Sequence, residues 1–325
     1  MPLSSSEGPL VVVLGATGAQ GGSVIKHLAQ LSGPIRVRAV TRDASKPKSQ
    51  MLKSVGVEVV EGDISNRESL DKAFAGADVV FAVTDFWAHQ DAQREINDGK
   101  RIVDAVKDAK ATALIWSGLE PVSKISGGKL RQVEHFDSKA TVTDYAREKL
   151  DIVSNVACGC YMSNFLPGSQ LGFKLAPSGD GYELALPVKE TTKVSLIDTP
   201  NDYGAFVRAL LEPQANTLST DVFACTEELT LKQMVNQVEE ATGVPTVYRQ
   251  LAPAEYLQQF GKQKEKLATE LLEMLQWFEE YGYFAGKDVQ PSLTAVQQLN
   301  IPLKSWKQFV AERFLPHGDG DKAKQ

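Results

Sequence analysis

The chain has 325 residues, 42% of them hydrophobic and 23% charged, with a formal net charge of −6. That is enough apolar material for one large or two joined domains, and without a basic excess to neutralise phosphates no direct nucleic-acid partner is expected. No apolar run approaches the ~18 residues of a membrane span, and Met1 to Gly8 lacks the basic and apolar parts of a secretory signal. The expectation is therefore no membrane partner and a cytoplasmic compartment, with the nucleus left open. Cys158, Cys160 and Cys225 form an odd set without C-x-x-C spacing, which suits buried apolar fillers and predicts neither a disulfide framework nor a metal site.

Leu10 to Leu14 is a continuous, branched apolar run of the kind that becomes a strand covered on both faces. A glycine-rich turn follows it, and Ser23 to Leu31 reads as a helix. The alternation continues with strands at Ile35–Thr41, Val57–Gly62, Val79–Thr84, Thr112–Ser117 and Asp151–Ala157. Between them lie helices at Ser45–Val55, Arg67–Phe74, Gln90–Asp108 and Glu134–Glu148. Strands alternating with helices imply crossover units and a parallel sheet. Beyond residue 160 prolines punctuate shorter pieces: strands at Tyr182–Leu186, Lys193–Ile197 and Asp221–Cys225, and helices at Asp202–Leu211, after an N-cap at Thr230, and at Lys264–Tyr283. The aromatic stripe of Trp277, Phe278 and Tyr281 reads as core packing, and the residues from His317 as a frayed tail. The expected fold is α/β, a Rossmann doubly wound parallel sheet over residues 1–160. A smaller C-terminal α/β domain for a substrate or partner is expected over 161–325, with some segments returning to the sheet.

Gly15-Ala16-Thr17-Gly18-Ala19-Gln20-Gly21 spaces its glycines as G-x-x-G-x-x-G between a predicted strand and helix. Such a turn lets the backbone approach a pyrophosphate, which then sits on the helix N-terminus, so Gly15, Thr17, Gly18, Ala19, Gln20 and Gly21 are candidate dinucleotide contacts. The second strand ends in Val40-Thr41-Arg42, where an NAD-specific fold places a carboxylate. Arg42, with Lys46 nearby, suits a 2′-phosphate, so NADP(H) is the expected cofactor. Asp43 is open to two roles, pairing with Arg42 or turning outward. Asp63 and Ile64, ending the third strand, can meet the adenine, and Thr84, ending the fourth, faces the crevice where nicotinamide runs. Each of these three positions also fits a plain cap or turn.

With those residues in place the chain resembles the NmrA-like family of atypical short-chain dehydrogenase/reductase proteins, and is similar to its NADPH-sensor branch. The likeness runs through Gly15 to Val24, Val40-Thr41-Arg42, Ser117-Gly118-Leu119-Glu120, His135-Phe136-Asp137-Ser138-Lys139 and Gly282-Tyr283-Phe284, and so covers most of the chain. The resemblance implies a Rossmann domain for NADP(H) and a smaller domain closing over the nicotinamide. Classical members carry Tyr-x-x-x-Lys, whereas this chain keeps Lys139 and has His135 in place of the Tyr, the arrangement of the sensor branch.

His135 and Lys139 lie four residues apart, on one helix face. Imidazolium can donate a proton near neutral pH, so His135 is a candidate acid, with Lys139 and Ser117 as further catalytic candidates and Lys139 also a ribose-binding one. Two function classes stay open: an NADPH-dependent oxidoreductase reducing a small organic substrate by hydride transfer, or a non-catalytic redox sensor regulating a protein partner.

Overall fold

Four consecutive apolar residues, Leu10–Val13, form β1 and are buried throughout. In the computed structural model the chain continues through α1 (Ala19–Leu28), β2 (Arg36–Thr41), α2 (Pro47–Ser54), β3 (Glu58–Glu61), α3 (Arg67–Phe74) and β4 (Val79–Ala82). Next come α4 (Ala92–Asp108), β5 (Ala113–Trp116), a single turn α5 (Val122–Ile125), α6 (Glu134–Lys149) and β6 (Val153–Cys158). The structure describes residues 8–169, 173, 175–212 and 218–314. Both the tail expected to fray from His317 and residues 1–7 of the start lie outside the described residues.

Two compact units divide the chain. The first gathers the described residues of Met1–Cys158 with Thr199–Ala224 and Asp288–Pro302. Its sheet has seven strands in the order Asp221–Ala224, β6, β5, β4, β1, β2, β3, with every pairing parallel. This is the doubly wound Rossmann arrangement that the alternation predicts, and the order reverses at β1 and β4, where such sheets open a crevice at the carboxyl ends of their strands. One apolar cluster, including Val12, Leu14, Val80, Ile102, Leu114, Trp116 and Val142, ties the sheet to α3, α4 and α6. The helix Thr199–Leu211 packs on α1, where the Gly204 N–H donates to Ser23 Oγ at 2.9 Å.

The first helix starts at Ala19, four residues ahead of the expected Ser23. Gly18, extended at φ −86° and ψ 178°, is its N-cap, and Gly21 and Gly22 fall inside the helix, not in the turn. Glycine's low helix propensity misled the sequence reading; the close packing described below outweighs it.

The second unit comprises Gly159–Asp198, Cys225–Lys287 and the described residues from Leu303 on. Lys193–Ile197 is the middle strand of three, antiparallel to Glu227–Thr230 and parallel to Cys160–Tyr161. In a separate sheet Gly181–Leu186 lies between Ala176–Ser178 and Thr246–Gln250. Thr230 caps the helix Leu231–Thr242 as expected, in a capping box with Gln233. Trp277 and Phe278 of the helix Glu265–Tyr281 are buried in the core, again as expected. The strands Glu227–Thr230 and Thr246–Gln250 and the helices Pro253–Gln258 and Trp306–Arg313 are unforeseen, since four to eight mostly polar residues show too little periodicity to be read. All three cysteines are free and buried, as expected of fillers, and burial pushes the Cys160 thiol up to about 12.

Candidate functional site

The glycine turn is made by the backbone. Leu14 N–H donates to Phe81 O at 2.9 Å, which fixes the exit of β1, and Gly15 then turns at φ +66°, a conformation costly for any residue with a Cβ. A Cβ on Gly21 would lie 2.3 Å from Gly15 O, so α1 can cross the turn only with glycine there. The result is a tight loop whose Gly15 and Gly18 are exposed at the head of α1. In the first turn of that helix the amide N–H groups have no intrahelical acceptor, and no acidic side chain occupies it.

Arg42 follows β2 directly and is exposed, with no hydrogen bond or ion pair among the described residues. The open question about Asp43 is decided against pairing. Its Oδ1 accepts from Ser45 N at 2.9 Å and from Ser45 Oγ at 2.6 Å, and these bonds hold its carboxyl below the usual range. Lys46 is the exposed N-cap of α2. The cation that reaches the glycine turn is Lys48, a residue the sequence reading passed over, whose Nζ donates to Thr17 O at 3.3 Å. Asp63 Oδ1 accepts from Ser65 N and Oγ, both at 2.8 Å, a turn role that lowers its pKa, with the charge of Arg42 adding to the effect. Ile64 packs against the core cluster.

A second group of candidates gathers below the carboxyl end of β4. Thr84, 6% exposed, donates through Oγ1 to Glu95 Oε1 at 2.7 Å. Lys139 Nζ pairs with the same Glu95 oxygen and donates to Thr84 Oγ1 at 3.1 Å and to Thr84 O at 3.2 Å. Ser138 Oγ donates to Glu95 Oε2. An ammonium has three donors, and all three of these have an acceptor. Burial opposes ionisation of Glu95, but the Lys139 charge, with the bonds from Lys139, Ser138 and Thr84, outweighs it and holds the carboxyl below its ordinary value. Lys139 is anchored in turn, its carbonyl accepting from Trp116 Nε1 at 3.2 Å and Thr143 Oγ1 at 3.0 Å.

Glu95, fully buried, is the residue that sequence reasoning missed. The signal was present: Glu95, Asp98, Gly99, Ile102, Val103 and Val106 share the buried stripe of α4, and a carboxylate in that phase needs a partner. Gly99 explains the short reach. A Cβ there would lie 2.4 Å from Val142 Cγ2, so α4 and α6 approach closely enough for Glu95 to meet Ser138 and Lys139.

His135, one turn before Lys139 on α6, is 6% exposed and packed among rings. Its centroid lies 4.7 Å from Trp87, 4.8 Å from Phe136 and 5.8 Å from Phe86. Trp87 is half-buried. Ser117, directly after β5, donates its N–H to Ala82 O at 2.9 Å, and its hydroxyl has no hydrogen-bond partner among the described residues. The structure thus joins Thr84 with Lys139 directly and leaves Ser117 without a bond to either His135 or Lys139. Among the described residues no group of three or more His, Cys, Asp or Glu could hold a metal ion, and no helix is long and apolar enough to cross a membrane.

The model of the NmrA-like family matches residues 8–309. An NmrA-like family domain-containing oxidoreductase of Aspergillus campestris is 30% identical over 258 residues, covering 75% of this chain and 76% of its own. An NmrA-like family domain-containing protein of Dictyostelium discoideum is 27% identical over 280 residues, 84% of this chain and 88% of its own. Among solved structures, NmrA, a negative transcriptional regulator in complex with NADP, superposes with a TM-score of 0.80 at 22% identity, covering 95% of this chain and 96% of that one. Citrobacter sp. triphenylmethane reductase complexed with NADP(H) gives a TM-score of 0.73 at 19% identity, with coverage of 94% and 99%. At these identities the two structures establish a shared fold.

Proposed function

Because the chain belongs to the NmrA-like family, we propose that it binds NADP(H) at the Gly15–Gly21 turn and acts as an NADPH-dependent oxidoreductase on a small organic substrate. The observation that carries the cofactor reading is the glycine turn at the head of α1, where Gly15 and Gly18 are exposed, with Arg42 at the end of β2 unpaired among the described residues. Thr17, Gly18, Ala19, Gln20 and Gly21 hold the pyrophosphate through the turn and the helix N-terminus, and Arg42, with Lys46, meets the 2′-phosphate. Asp63 and Ile64 border the adenine. Lys139 exchanges one of its two bonds to Thr84 for a ribose hydroxyl. The solved relatives that carry NADP or NADP(H) in the same fold support this reading.

When bound, the reduced nicotinamide supplies the hydride. The chain supplies the proton: His135, held among aromatic rings one turn from Lys139, donates from its ring nitrogen to the oxygen or nitrogen of the acceptor, and the unpartnered Ser117 hydroxyl polarises the same atom. The committed donors of Lys139 favour a second reading, a sensor of the NADPH/NADP ratio that catalyses nothing and regulates a protein partner.

One experiment tests both. NADPH binding is titrated, and NADPH oxidation is followed against aldehydes, ketones, quinones, enones and imines, for the wild type and His135→Ala. The oxidoreductase reading expects turnover that falls about 100-fold in His135→Ala with NADPH affinity within about twofold. Turnover unchanged by the substitution removes the acid role. Silence across the panel, with a partner captured in only one redox state of the cofactor, replaces the oxidoreductase by the sensor.

A further inference from the structure

Lys139 is a buried cation with an acceptor for each of its three donors, and only one of the three acceptors carries charge. Thr84 from the end of β4 offers a neutral hydroxyl and a carbonyl, while Glu95 reaches across from α4. Among the described residues Glu95 is the only acid that pairs with Lys139. His135 lies on the same helix, and Asp98, the next acid along the buried stripe of α4, is committed to Arg101 at 2.5 Å and Arg94 at 3.9 Å. An apolar residue at position 95 would satisfy the packing of α4. A carboxylate there costs desolvation, and the fold recovers it only through Lys139, Ser138 and Thr84.

We propose that Glu95 is a positioning residue that acts through Lys139, keeping its ammonium charged in the interior and aimed at the carboxyl end of β4. The inference rests on the reading of Lys139 as a cofactor-holding residue and assigns its counter-ion. Thr84 is the exchangeable partner in this arrangement: a bond to a neutral hydroxyl can pass to a ribose hydroxyl without loss of charge pairing, whereas the bond to Glu95 cannot. Glu95 therefore stays on Lys139 whether or not the dinucleotide is present.

The test is Glu95→Gln, which keeps shape and hydrogen-bonding capacity and removes the charge. Without its counter-ion a buried ammonium titrates at a lower pH, because burial then disfavours the charged form. The sign follows by linkage. A lysine with a depressed folded pKa destabilises the fold below that pKa and ceases to do so as pH rises towards the unfolded value. The melting-temperature deficit of Glu95→Gln against the wild type should therefore shrink between about pH 6 and about pH 9, without any cofactor present. Over the same range its dissociation constant for NADPH should rise about tenfold as Lys139 loses its charge, while that of the wild type changes less than about twofold.

A deficit that stays constant with pH overturns the proposal. Wild-type protein that fails to bind NADPH, or Lys139→Met that binds it as tightly as the wild type, overturns the cofactor role of Lys139 instead, and the cofactor-free melting series still decides Glu95. Should Glu95→Gln not fold, the pair Glu95→Gln, Lys139→Met is compared with Lys139→Met alone. The double variant should be the more stable, since the single one strands a buried carboxylate, and a less stable double variant rejects the counter-ion role.

Discussion

The glycine turn at residues 15–21 and the cluster of Thr84, Glu95, Ser138 and Lys139 sit on the same sheet and are built in opposite ways. The turn is made of backbone within one strand-to-helix connection, with Gly15 and Gly18 exposed. The cluster is buried and made of side chains from a strand end and two helices, drawn together from positions up to 55 residues apart. A backbone-made site tolerates almost any side chain that stays clear of it and fails when a Cβ intrudes. A buried polar cluster fails when any one member is removed, because the partners left behind keep their desolvation cost.

The largest expected effect comes from intrusion into the turn. A Cβ on Gly18 would lie 3.2 Å from Gly15 O, close enough that the turn must give by a few tenths of an ångström; Gly18→Val should keep its circular dichroism while NADPH affinity falls by about 100-fold or more. Retained affinity would mean that the turn does not face the dinucleotide.

Next comes the cluster. Lys139→Met leaves the fully buried Glu95 carboxylate without its cation and should lower stability by about 3–5 kcal/mol, read by denaturant unfolding. The pH dependence reverses sign with it. In the wild type Glu95 has a lowered pKa, so its contribution is present above the unfolded value and is lost as pH falls through the folded one. In Lys139→Met burial raises that pKa, and the deficit should ease as pH falls. A deficit independent of pH would show that the carboxylate finds another partner.

Smaller effects belong to the exposed cations, where water screens each contribution. Arg42→Ala should weaken NADPH binding about tenfold and leave NADH binding unchanged by calorimetry, a loss of about 1.4 kcal/mol from one charge-assisted contact. Equal losses for both dinucleotides would assign Arg42 to something other than the 2′-phosphate. The smallest difference separates two lysines. Lys48, already bonded to Thr17 O, should cost about two- to threefold in NADPH affinity when changed to Ala, and the exposed Lys46 no more than that. A larger loss at Lys46 would return the second cation to the position that the sequence suggested.

What could be read from the sequence followed the range of the interaction. Arg67–Phe74 and Lys193–Ile197 were legible to the residue, because strand and helix periods and caps are local. The start of α1 was not, since Gly21, which argues against a helix, is there for a contact with Gly15 O that propensity does not contain.

By itself the sequence determined the alternation of strands and helices from β1 to β6, the parallel sheet that this alternation demands, and the glycine turn between β1 and α1, because each depends on neighbours within one connection. Only the tertiary structure decided that Lys48 is the lysine at the turn and that Lys139 is held by Glu95. Those outcomes depend on which side chains meet when α4 closes on α6 at Gly99 and α2 folds back beside the glycine turn. For Lys139 and Glu95 the cost of leaving a buried charge unpaired then selects a single arrangement.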